Sequence, residues 1–354
     1  MCDEIKLGIC KFNNNTGVTC YINSILAILQ QTPYFADYII SNNYSIEDDT
    51  ADYSIIKNTV IFQLYKIFKI SMSNDNKQLT INAFRKTISN KNFIWGEHQH
   101  QDSQEFLTFL LNTIEDEIKC KKIFVPGRKI DKSTKINIEN LMALKNWEDF
   151  TKNEHSIIKN LFVGQNQSIL QCSKCNFKSN HFEIFLNLQL NINNRCSNIY
   201  DCLNYYVKKE QLERDNSVWC NFCFLKNRAF KSNYIWRTPK ILIINFKRFK
   251  YNDYGMITGK NTKLIKYPIE GLDLTKFINP NSPYINKCKY NLFGVNIHKS
   301  IGGCNNINFG HYISCVKNRY DNKWYIFDDN NTYPATLNDI INPNSYLLFY
   351  LREN

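Results

Sequence analysis

The sequence predicts an α+β fold, with helices before about residue 120, strands after about residue 236, and a separate β extension over about 165–235. Three observations carry this. Ile22, Ile25, Leu26 and Leu29 fall at i, i+3, i+4 and i+7, and Leu107, Leu110, Leu111, Ile114 and Ile118 repeat the helical period. Ile241-Leu-Ile-Ile-Asn-Phe246 is a mostly apolar run that suits a strand buried on both faces, and further strand-like segments follow from Tyr290. Between these regions lie two Cys-x-x-Cys pairs, Cys172/Cys175 and Cys220/Cys223. Two such knuckles can present four thiolates to one tetrahedral zinc ion.

Taken in order, residues 1–14 form a polar lead-in. Gly17 allows a sharp turn, Thr19 is placed to cap, and a helix from Cys20 to about Gln31 stops before Pro33. Residues 41–54 are polar and acidic and read as a loop. A second helix is expected over 55–70, with Val60, Leu64, Ile67 and Phe68 on one face, and a short one over 81–88. His98-Gln-His-Gln-Asp-Ser-Gln-Glu-Phe106 opens the next long helix, and Pro126-Gly127 marks a turn. Ile184, Leu186, Leu188 and Leu190 alternate with other residues, as in one half-buried strand. Residues 201–207 suit a short helix. Strands are expected over 290–298, 311–317, 323–327 and 346–351, with Gly302 and Gly303 in a lid-like loop over 301–309. No repeat at a fixed period is present.

A hydrophobic content of 43% and an aromatic content of 14% exclude a disordered chain. No apolar run approaches the roughly 18 residues of a membrane span, and the first residues lack the apolar core of a signal peptide. An intracellular protein, cytoplasmic or nuclear, with reduced thiols and no membrane partner is therefore expected. The thirteen cysteines are an odd number. Those outside the paired motifs, Cys10, Cys196, Cys202, Cys304 and Cys315 among them, read as core or surface residues and not as a disulfide framework. The net charge of +12 suits an acidic or nucleic-acid partner. Apart from clusters such as Lys119-Cys-Lys-Lys122 and Lys247-Arg248, however, the basic residues are scattered, which favours a solvated basic surface.

Cys20 begins a helix, where the dipole favours a thiolate. A thiol nucleophile needs a base and a group that orients the base, and these partners meet in space, not in sequence. Gly310-His311-Tyr312 and the aromatic segment ending in Asp328-Asp329 supply both, in the order Cys, His, Asp. His298 is a rival base outside that context and is read as structural. The residues alone point to a thiol hydrolase with a structural zinc.

The stretch Asn15-Thr-Gly-Val-Thr-Cys-Tyr-Ile-Asn-Ser24, the Gly310-His311-Tyr312 box, Lys247-Arg-Phe249 and the Gln-Asp-x-x-Glu-Phe box around Asp102 resemble those of the ubiquitin-specific proteases. The resemblance runs from about Lys11 to Leu351. It implies a papain-like cysteine protease fold in a single catalytic domain. A helical thumb (1–120) would carry Cys20, zinc-bound β fingers (165–235) would grip the substrate, and a β-rich palm (236–354) would carry His311 and Asp328. It further implies hydrolysis at the C-terminal glycine of ubiquitin, with ubiquitin and ubiquitinated proteins as partners. Cys20 would attack, His311 would move the proton, Asp328 would orient His311 with Asp329 assisting or replacing it, and Asn15 would donate to the oxyanion. His100 stands where the family has Gln, which implies tuning near the site. Asp102 and Glu105, three apart on one helical face, would hold the tail arginines of ubiquitin; the alternative is that they only complement the helix dipole. Two other classes stay open. One is a catalytically silent ubiquitin binder. The other is a basic zinc-ribbon nucleic-acid binder, which requires a clustered Lys/Arg–aromatic face that the sequence does not make evident.

Overall fold

The structure, a computed structural model, describes residues 8–41, 56–73, 78–118, 121–122, 137–151, 154–254, 256–300 and 310–353. The N-terminal half holds helices α1 (Cys20–Gln31), α2 (Phe35–Ser41), α3 (Val60–Ser73), α4 (Asn82–Lys91), α5 (Ser103–Glu117), α6 (Ile138–Thr151) and α7 (Ile157–Phe162). Every residue of α1 is buried. Its apolar stripe meets α5, and its other side lies along the strand Gly310–Lys317 of the main sheet. The approach is close enough that a Cβ on Gly294 would meet Ile28 Cγ2 at 2.9 Å, so the sheet needs glycine beneath the helix.

The main sheet has eight strands. Its path runs Asn331–Pro334, Trp324–Asp328, Gly310–Lys317, Lys289–Ser300, Ser345–Arg352, Ile241–Lys247 and Leu188–Asn191, with Leu272–Asp273 paired to Lys289–Ser300. All pairs are antiparallel except the last on the path, Ile241–Lys247 with Leu188–Asn191. Both faces are covered, which explains the mostly apolar run at 241–246. Ile241 and Ile243 join the core shared with the helices. Leu242, Ile244 and Phe246 join a second core beneath helix α8 (Ile199–Tyr206). The period of two thus survives inside a mostly apolar stretch.

The fingers are a four-stranded antiparallel sheet in the order Lys178–Phe185, Gly164–Cys172, Ala229–Arg237 and Glu210–Leu212. A hairpin of Val218–Cys220 with Leu225–Asn227 forms their tip. The alternating run at 184–190 is therefore two strands, not one. Ile184 belongs to the fingers, whereas Leu188 and Leu190 belong to the main sheet; the chain changes sheets at Leu186 and Asn187. Alternation persists because each piece still buries one face, so periodicity alone could not reveal the break.

The helices expected at 55–70 and 81–88 begin at Val60 and Asn82. The expected loops over 41–54 and 301–309 and the Pro126-Gly127 turn lie outside the described residues, apart from Ser41, which ends α2. The basic motif after Ile241–Phe246 proves structural at Arg248. This residue is fully buried, and its guanidinium donates to the carbonyls of Ser345 (2.5 Å), Asn261 (2.8 Å) and Lys263 (3.0 Å). Ten described cysteines are free thiols. Among the described residues, no helix is long and apolar enough to cross a membrane.

Candidate active site

Cys20 is the first residue of α1 and is fully buried. Asn14 shapes the loop before it: the Asn14 side-chain oxygen accepts from the Thr19 amide (3.0 Å) and the Thr19 hydroxyl (2.8 Å). Thr19 therefore serves the loop, and its side chain does not cap the helix as its position suggested. The amides of Ile22 and Asn23 bond to the Thr19 carbonyl, while those of Cys20 and Tyr21 have no acceptor among the described residues. These open donors sit at the positive end of a 12-residue helix, the usual seat of an anion.

The sheet brings His311 to this point, because α1 lies along its strand. His311 Nε2 is 2.6 Å from Asp328 Oδ1, which leaves Nδ1 for the thiol side. Gly310 has no alternative residue: a Cβ there would lie 1.9 Å from His298 Nε2. His298 itself is buried, with its ring 4.5 Å from that of Tyr312 and edge-on to Phe249. It packs behind the site.

Burial raises the Cys20 thiol pKa, but hydrogen bonds to His100, His311 and the Tyr312 backbone, with the charge of His311, bring it below its ordinary value. The hydrogen bond to Asp328, then that to Cys20, lifts His311 to about 10. Asp328 is lowered by the same bond to His311. Each group thus favours the charged form of the other, as in a thiolate–imidazolium pair. His100 is a second imidazole on the same sulfur, and the bond to Cys20 raises its pKa too.

The two acidic residues after the aromatic strand have separate surroundings. Asp329 adopts a left-handed backbone (φ 49°). Its carboxylate accepts from Asn14 (2.7 Å) and Asn23 (2.7 Å), and stands 4.0 Å from His311. Asp329 therefore clamps the cysteine loop to the sheet, while Asp328 meets the histidine. Asn15 is exposed in the turn; its neighbour Asn14 makes the fixed contacts. A buried chain of hydrogen bonds, Ser103 to Asn296 (2.8 Å) and Asn296 to Ser24 (2.9 Å), ties α5, the sheet and α1 together.

Asp102 requires a correction. It is the N-cap of α5, not a member of its first turn, and accepts from the Gln104 amide (2.6 Å), the Glu105 amide (3.2 Å) and the Tyr346 hydroxyl (2.6 Å). Burial pushes its pKa up to about 6. An N-cap carboxylate folds back over the helix end, whereas a residue three positions on projects outward. Asp102 and Glu105 are thus not a matched pair: Asp102 is half-buried and held by three donors, whereas Glu105 is exposed.

At the fingertip, the sulfurs of Cys172, Cys175, Cys220 and Cys223 lie within 4.8 Å of one another. Cys172–Cys223 is 3.9 Å and Cys175–Cys220 is 3.6 Å. A tetrahedron with metal–sulfur bonds of about 2.3 Å has edges of about 3.8 Å, so the cluster could hold a metal ion with little movement. Backbone amides of Cys175 and Lys174 lower the Cys172 thiol to about 6, which favours the ligating form.

Residues 13–350 match the family model described as ubiquitin carboxyl-terminal hydrolase. The chain belongs to this family. The resemblance of its motifs to the ubiquitin-specific proteases is borne out. Relatives named ubiquitin carboxyl-terminal hydrolase 2 are 30% identical over 349 residues in both Bos taurus and Homo sapiens, covering 95% of this chain and 54% of theirs. Ubiquitin carboxyl-terminal hydrolase 5 of Saccharomyces cerevisiae is 29% identical over 367 residues, covering 96% of this chain and 44% of its own. The chain thus spans about half the length of these relatives or less. Among solved structures, the yeast SAGA DUB module matches with a TM-score of 0.71 at 23% identity, covering 99% of this chain and 70% of that one. The SAGA DUB module bound to monoubiquitin matches with a TM-score of 0.71 at 22% identity and the same coverage. At such identities, the likeness is one of fold, α+β with helices and sheets arranged as in these modules.

Sequence reasoning overlooked Asn14 and Asn296. Asn14 stands in a run of three asparagines, Asn13 to Asn15, whose roles only the turn geometry separates. Asn296 is a buried polar residue, and the one available signal was its place among Leu292, Phe293, Val295 and Ile297.

Proposed function

We propose that the chain hydrolyses the isopeptide or peptide bond after the C-terminal glycine of ubiquitin, with Cys20, His311 and Asp328 as a catalytic triad. The observation that carries this is the buried Cys20 thiol at the start of α1, held below its ordinary value by His311, whose Nε2 is 2.6 Å from Asp328 Oδ1. The relatives' names and the monoubiquitin in a similar structure support the substrate. The Cys20 thiolate attacks the glycine carbonyl carbon, and the carbonyl electrons move to oxygen. The open amides at the start of α1, the Asn15 side chain and His100 donate to that oxyanion; one such donor is worth on the order of a hundredfold in rate. His311 gives its proton to the leaving nitrogen as the C–N bond breaks, leaving a thioester. It then takes a proton from water, which attacks the thioester and releases Cys20. Asp328 keeps His311 oriented throughout. Asp329 positions the loop that carries Cys20.

Glu105 takes an arginine of the ubiquitin tail through charge-assisted hydrogen bonds. The finger sheet grips the body of ubiquitin. Cys172, Cys175, Cys220 and Cys223 hold one zinc ion, which stabilises the fingers and takes no part in the chemistry.

The test is turnover of ubiquitin carrying a fluorogenic amide on its C-terminal glycine, beside the same amide on other ubiquitin-like modifiers. Turnover of the ubiquitin substrate, abolished by Cys20→Ala, is expected. Binding of ubiquitin without turnover by the wild-type chain would instead identify a silent ubiquitin-binding protein.

A further inference from the structure

The fingertip carries side chains that hydrolysis does not use. Trp219, Phe222 and Phe224 are 61%, 68% and 70% exposed, and Phe177 is exposed beside them. The rings of Phe177 and Phe222 are nearly parallel, 14° apart with centroids at 6.1 Å. Trp219 pairs across the hairpin with Lys226, so both side chains leave the same face. Phe177, Trp219 and Arg228 line one cleft of about 80 Å³. Lys174, Lys178, Lys226 and Arg228 are all exposed, and residues 172–178 and 218–228 contain no Asp or Glu. None of the four cations is in an ion pair among the described residues. Charges that look scattered along the chain are thus gathered by the two knuckles around a set of open aromatic faces.

We propose that this fingertip binds single-stranded nucleic acid. Flat aromatic faces stack on bases whatever their sequence, and neighbouring cations take the phosphates. A duplex hides its base faces, and an acidic peptide offers charge without flat rings, so the single strand fits both halves of the surface. The site is separate from Cys20 and stands whether or not ubiquitin is the substrate.

The experiment is fluorescence anisotropy of the zinc-loaded full chain with a labelled 12-nucleotide single strand, as DNA and as RNA of matched sequence, at rising salt. Binding to at least one of the two is expected, and the comparison tells which backbone is preferred. Trp219→Ala combined with Phe222→Ala should weaken affinity about tenfold or more, and Trp219→Phe should keep most of it. Lys226→Glu with Arg228→Glu should make the dependence on salt shallower, by a slope of about 1.4 in log–log form. Melting temperature and zinc content should stay at wild-type values in all these variants. Absence of binding overturns the proposal. So does affinity unchanged by the aromatic substitutions, which would mean diffuse charge alone. Equal competition by polyglutamate, or a raised KM for the ubiquitin substrate in the aromatic variant, would assign the tip to a protein ligand instead.

Discussion

The cleft and the fingertip use the same residue in opposite ways. Cys20 and Cys172 both have thiols shifted toward the thiolate. Cys20 is fully buried and owes its shift to histidines delivered by tertiary packing from residues 100 and 311. Cys172 owes its shift to amides two and three residues away, within its own knuckle. Around Cys20 the fixing contacts cross the whole chain, such as Asn14 to Asp329. Around Cys172 they are local hairpins, whose four thiols could hold a metal ion. The lesson is that a lowered thiol alone does not specify its use. A nucleophile needs a proton carrier on the sulfur and a fold rigid enough to hold it, whereas a ligand needs more thiols.

The largest expected effect lies in the cleft. His311→Ala should lower turnover at least about a thousandfold. It should also cut alkylation of Cys20 by iodoacetamide at pH 6.5 by up to about a hundredfold, since an ordinary thiol is only about 1% ionised there. An alkylation rate unchanged by His311→Ala would show that the thiolate does not depend on that contact. At the fingertip, Cys220→Ser should release the metal and unfold residues 165–235 while α1 and α5 keep their protection, read by elemental analysis and hydrogen exchange. Loss of protection throughout the protein would mean that the two regions fold as one unit.

Glu105→Lys should weaken ubiquitin binding by roughly 2–5 kcal/mol, measured by titration with the Cys20→Ala protein. An arginine-to-glutamate change in the ubiquitin tail should restore part of the loss. A small drop in Tm with unchanged affinity would return Glu105 to a dipole role.

The smallest effect concerns Asp102. Its folded pKa of about 6 lies above the ordinary 3.8. The stability it contributes is therefore fully present below about pH 3.8 and is lost as pH rises through about 6. Asp102→Asn keeps the cap and removes the half-buried charge, so its Tm should exceed that of wild type at pH 8, with the gain fading by pH 4. A variant that melts lower at pH 8 would mean that the charge itself is needed.

Much of this was legible in the sequence. The stripe at Ile22, Ile25, Leu26 and Leu29 located α1, the apolar run at 241–246 located a doubly covered strand, and the cysteine spacing located a thiolate cluster. The missing parts were those that sequence does not encode locally. Asn14 and Asn15 are chemically identical, and only the turn decides which faces Asp329. Asp102 lies one residue before the helix, and that single position turns it from a surface carboxylate into a half-buried cap. The break at Leu186 and Asn187 hides because both sheets bury alternate residues. The fingertip patch is assembled from two segments more than forty residues apart, so neither looks basic or aromatic enough by itself.

The central claim is that Cys20 is the nucleophile that meets the C-terminus of ubiquitin. Ubiquitin with a thiol-reactive electrophile in place of its last carboxylate tests this directly, with the adduct mapped by peptide mass spectrometry. A single adduct on Cys20 is expected, absent in Cys20→Ala and strongly slowed in His311→Ala. No adduct with the wild-type chain, or an adduct on any other cysteine that persists in Cys20→Ala, would contradict it.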